Sequence, residues 1–116
     1  MSFQTSDYLR HILDETAYLI ASSPQLDQAS LKQDATLRRA FVRSIEVIGE
    51  ATLRLPKEYR QAHTQVDWQL LIGLSDRLLH AYFGVDYDLV WDVVVNKVPL
   101  WQDQISELLE KGARDG

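Results

Sequence analysis

The sequence predicts an all-α fold, an antiparallel bundle of four to five main helices. Three observations carry this. The apolar residues recur every three or four positions over long stretches. Only five Gly and three Pro interrupt 116 residues, too few for the many turns a sheet of short strands needs. The one β-branched run, Val93-Val94-Val95, has no second strand pattern to pair with. A chain of this length forms one domain with one core, here residues 1–116, with a fraying tail over 110–116.

The elements follow in order. Thr5-Ser6-Asp7 supplies capping and acidic residues for a first helix through Leu9, Ile12, Leu13, Thr16, Leu19 and Ile20. Ser22-Ser23-Pro24 stops it. Ser30 with Gln33 fits a capping box for a second long helix, whose apolar positions run from Leu37 through Phe41, Ile45 and Ile48 to Leu55. Gly49 lies inside it. A glycine there costs ~1 kcal/mol against alanine, and lets another backbone approach. Pro56 ends the run, and a short helical turn and loop follow. Asp67 caps a helix carrying Trp68, Leu71, Ile72, Leu74 and Leu78, which Gly84 closes. Asp86 or Tyr87 opens the next, through Leu89, Val90, Val93 and Val94. Pro99 starts a last amphipathic helix through Trp101, Ile105 and Leu108.

Composition removes several function classes. There is no cysteine, so thiolate chemistry and disulfides are out. This fits a cytoplasmic protein. His11, His63 and His80 lack any ligand spacing, and no metal site or cofactor is expected. The N-terminus lacks a secretory pattern, and no window reaches the ~18–20 apolar residues of a membrane span. The net charge is −5, yet residues 31–60 carry seven Lys or Arg against four acids, so a local basic face is possible on an acidic chain.

The chemistry concentrates in "GLSDRLLHAYFGVDYDLVW", residues 73–91. Asp76 and His80 are four apart and share a helical face. Asp76 can therefore fix the imidazole tautomer and free the other nitrogen for proton transfer. Ser75 flanks that face on one side and Arg77 on the other. Tyr82 lies two positions beyond His80, where Gly84 brings the helix to its end.

This stretch resembles the signature region of the HepT-like proteins, a branch of the HEPN superfamily. Their motif is an arginine, four residues, a histidine, any residue, and a tyrosine. His80-Ala81-Tyr82 matches its second half, with Phe83-Gly84-Val85-Asp86 and Trp91 following as in that branch. "RRAFVRSIEVIGEATLRLPKEYR", residues 38–60, resembles the second long helix. "VDWQLLIGL" and "VPLWQDQI" resemble the segments before and after the motif.

The resemblance implies a HEPN-like homodimer with the two motifs facing across the interface. It implies the toxin of a toxin–antitoxin pair, acting as a metal-independent endoribonuclease on RNA. The implied partner is a minimal nucleotidyltransferase antitoxin that moves AMP from ATP onto the motif tyrosine, here Tyr82. His80 takes the proton-transfer role and Asp76 orients it. The motif arginine aligns with Ser75, whose hydroxyl cannot fork onto phosphate as a guanidinium does. Three explanations stand open: an engineered silencing change, a natural loss, or another cation such as Arg43 in its place. Arg39, Arg43 and Arg77 are candidate RNA or partner contacts. The alternative is a non-catalytic helical dimer that serves as an interaction module for the nucleotidyltransferase.

Overall fold

The computed structural model describes residues 4–79 and 84–115. All regular structure among them is helical, as the periodicity requires. The elements are α1 (Thr5–Ser22), α2 (Gln28–Gln33), α3 (Ala35–Arg54), α4 (Lys57–Ala62), α5 (Trp68–Leu79), α6 (Tyr87–Asp92), a π-helical segment (Val93–Lys97) and α7 (Val98–Asp115). α3 packs against α5 and α1, and α1 also packs against α7.

The core forms where the apolar stripes meet. Ile12 and Leu19 of α1, Phe41, Ile45 and Ile48 of α3, and Leu71 of α5 are fully enclosed with Val94, Trp101 and Ile105. The three buried hydroxyls, of Thr16, Ser44 and Thr52, are satisfied. Thr16 Oγ1 donates to Leu13 O at 2.9 Å, Ser44 Oγ to Glu15 Oε1 at 2.8 Å, and Thr52 Oγ1 to Ile48 O at 2.8 Å. Thr16 and Thr52 bond back onto their own helices and Ser44 reaches across to α1, so none carries an unpaired polar cost.

Two expectations about helix ends are corrected. Ser30 does not cap α3. It sits inside the short α2, where its own N–H and hydroxyl donate to Asp27 Oδ1 at 2.7 and 2.8 Å. α3 begins at Ala35 under Asp34, whose Oδ1 accepts from Leu37 N at 3.1 Å. A carboxylate is the stronger acceptor for orphan helix N–H groups, and Asp27 and Asp34 bracket Ser30 with one each.

Pro99 does not start a helix. α6, the π segment and α7 follow one another without a break from Tyr87 to Asp115. At 1.5 Å per residue that is about 43 Å, close to the molecule's 45 Å long dimension. The Val98 N–H bonds to Val93 O, five residues back. A proline inside an α-helix clashes with the carbonyl four residues before it. The wider π turn just ahead of Pro99 shifts that register and lets the helix continue.

Two other caps follow expectation. Asp67 Oδ1 accepts from Leu70 N at 3.1 Å, and Asp86 Oδ1 accepts from Asp88 N and Leu89 N, both at 3.1 Å.

Candidate functional site

The helix crossing that builds the site depends on a missing side chain. Gly49 is buried on α3 directly against Ser75 of α5. A Cβ added to Gly49 would lie 2.0 Å from Ser75 Cβ and 3.1 Å from Leu71 O. The two backbones therefore meet at a distance only glycine permits. Ser75 is half-buried, and its Oγ donates to Glu46 O at 3.1 Å. The hydroxyl is thereby fastened to the backbone of α3.

Beside this crossing runs a groove of about 480 Å³. α3 contributes Arg43, Glu46, Glu50 and Leu53 at spacings of three, four and three, one helical stripe. α5 contributes Gln69, Ile72, Gly73, Ser75 and Asp76. Arg43 Nη1 lies 3.5 Å from Glu46 Oε2, and Arg54 Nη2 lies 3.9 Å from Glu50 Oε1. Among the lining residues, three carboxylates (Glu46, Glu50, Asp76) face one guanidinium. Leu53 is 57 % exposed there and adds apolar surface to the lining.

The structure thus brings Ser75, Asp76 and Arg43 to one groove. Arg39, one turn before Arg43, and Arg77 are exposed and lie outside its lining. His80 and Tyr82 lie outside the described residues. Glu46 and Glu50 were not singled out from the sequence. Their offsets of three and seven from Arg43 were the signal that they share its stripe.

His63 is a structural residue. Its Nδ1 lies 2.8 Å from Tyr59 O, and its ring stacks on Tyr59 with centroids 4.1 Å apart. Burial pushes the Tyr59 phenol above its ordinary pKa. Among the described residues, no three His, Cys, Asp or Glu side chains are grouped to hold a metal ion. None of the described helices is long and apolar enough to cross a membrane.

Residues 7–108 match the family described as "Ribonuclease HepT-like". The chain belongs to the HepT-like family. A relative from Caldanaerobacter subterraneus subsp. tengcongensis, named "Putative RNase TTE0752", is 42% identical over 104 residues, covering 90% of this chain and 93% of that protein. One from Methanocaldococcus jannaschii, named "Putative RNase MJ0127", is 35% identical over 103 residues, covering 89% of this chain and 85% of that protein. The "Probable ribonuclease HepT" of Thermococcus cleftensis is 28% identical over 102 residues, 88% of this chain and 93% of that protein. No solved structure gives a significant match.

Proposed function

We propose that this HepT-like chain is the toxin component of a cytoplasmic toxin–antitoxin pair, built as a metal-independent endoribonuclease and held inactive by Ser75. The observation that carries the reading is the HepT-like ribonuclease match over residues 7–108, which spans the whole groove between α3 and α5. Two copies pair so that their motifs face a shared cleft, with exposed Leu53 offering apolar surface nearby.

The chemistry follows from the residues. Metal-free RNA cleavage needs a base for the 2′-hydroxyl, an acid for the leaving oxygen and a cation for the phosphate charge. His80 from each copy moves the protons, and Asp76, one turn before it, orients the ring. Position 75 is the phosphate-binding place. Its serine donates to Glu46 O and brings no charge to a groove that holds three carboxylates. Arg43, with Arg39 and Arg77 further out, attracts the RNA backbone, so binding weakens with salt. The antitoxin, a minimal nucleotidyltransferase, adds AMP to Tyr82. The added phosphate and nucleoside fill the cleft and repel RNA.

The same Ser75 geometry favours a second reading. A hydroxyl bonded into the helix crossing is a packing group, which suits a non-catalytic dimer that docks the nucleotidyltransferase. Induction in a bacterial host separates the two. The toxin reading expects growth arrest from Ser75→Arg and little or none from the Ser75 chain. If neither arrests growth, the interaction module is the better account.

A further inference from the structure

A second concavity, of about 580 Å³, opens between α4 and the start of α5. Its charge is opposite in sign to that of the α3–α5 groove. Lys57 and Arg60, three apart on one face of α4, line it together with Gln61, Thr64 and Gln69. The acid in its wall, Asp67, already accepts the N–H of Leu70 as a helix cap. Arg60 Nε is withdrawn from solvent and has no hydrogen-bond partner among the described residues. A buried donor on a charged group is costly to leave unpaired and calls for an acceptor.

The pocket is also preformed. Trp68 Nε1 donates to His63 O at 2.8 Å, and Gln104 Nε2 of α7 donates to Gln65 O at 2.9 Å. These bonds pin the loop that forms its rear wall. Its volume is that of a small-ligand site. Gln69 lines both this pocket and the α3–α5 groove, so the two concavities adjoin along α5.

We propose that this pocket is a phosphate-binding subsite for a single-stranded polynucleotide that continues over Gln69 into the α3–α5 groove. Lys57 and Arg60 neutralise backbone phosphates, and the side-chain amides and Thr64 offer hydrogen bonds to phosphate and sugar. The strand is held here on a neutral-to-basic shelf before it enters the acidic groove. The inference rests on the reading of the chain as an RNA-acting protein. A free nucleotide presents the same phosphate chemistry, and the test separates the two sources.

Fluorescence anisotropy with a labelled single-stranded RNA of about twelve nucleotides, a length that spans typical strand sites, is read across a salt series. Lys57→Gln with Arg60→Gln is expected to weaken binding about tenfold. It should also flatten the log–log salt slope by about 1.4, at ~0.7 for each phosphate no longer neutralised. Lys57→Gln alone changes one exposed residue and should give half that flattening, which guards against misfolding of the double variant. Arg10→Gln with Lys111→Gln removes equal charge outside the pocket and should change little. If the unaltered chain binds RNA and the pocket variants bind equally well, the subsite is refuted and the RNA reading stands. If the unaltered chain binds no RNA, both fail. If AMP binds as tightly as the oligonucleotide and loses that affinity in Lys57→Gln, the pocket belongs to a free nucleotide and the polynucleotide assignment is overturned.

Discussion

Ser75 Cβ lies 2.0 Å from where a side chain on Gly49 would begin, so the crossing of α3 and α5 is set by the absence of one carbon. Ser75 completes the contact by donating to Glu46 O at 3.1 Å. Ser75 is therefore a packing residue, and the groove beside it inherits its shape from that contact.

Gly49→Ala must push the helices apart, because Ser75 Cβ is fixed by its own backbone. Overpacking of this kind costs about 1–3 kcal/mol, more than the ~1 kcal/mol of helix propensity that alanine contributes. Thermal unfolding followed by circular dichroism should show a Tm lower by roughly 5 °C or more. Adding Ser75→Gly should recover part of the loss. A Gly49→Ala protein as stable as the parent would contradict the close crossing.

Asp88 ties α6 to α2. Lys32 Nζ lies 2.6 Å from its Oδ1, and Gln28 Nε2 donates to the same oxygen. The Lys32 contact, then the Gln28 hydrogen bond, holds the carboxyl below its ordinary pKa of 3.8. A carboxyl depressed in the folded state adds stability above its unfolded pKa and loses it as pH falls through the folded value. Asp88→Asn should lower Tm slightly at neutral pH, by roughly one to three degrees for an exposed pair. The gap between parent and variant should narrow as pH falls below about 4. A gap that persists in acid would show that the ion pair is not its source.

Much of the fold was legible because the core stripes obey helical spacing almost throughout: Ile12 and Leu19, Phe41 and Ile48, Trp101 and Ile105 are all enclosed. The helix ends were less so. Ser30 and Asp34 both suit a cap, and which wins depends on Asp27, which engages Ser30 first. The π turn before Pro99 leaves no periodic mark, since one extra residue in a valine run changes no apolar count. At the site, Gly49 announced a close approach, but its partner Ser75 is 26 positions away, and spacing within one helix says nothing across two. The Lys57–Arg60 pocket was invisible for the same reason: its rear wall depends on Gln104 of α7.

Tyr82 should accept AMP from the cognate nucleotidyltransferase. Intact-protein mass spectrometry after incubation with that partner and ATP should show the addition of one or more AMP units. Tyr82→Phe should abolish it. Full modification of the phenylalanine variant would place the acceptor elsewhere.

On the proposed function, position 75 decides whether His80 can work on RNA. Ser75→Arg gives up one hydrogen bond, worth about 1 kcal/mol, and its longer chain has the open groove beside it to enter. The most direct measurement is cleavage of RNA by purified Ser75→Arg protein in the presence of a chelator, beside Ser75→Arg with His80→Ala. Cutting by the first is expected, with a loss of at least a hundredfold in the second, the scale of a proton-transfer group. Equal cutting by both would contradict it.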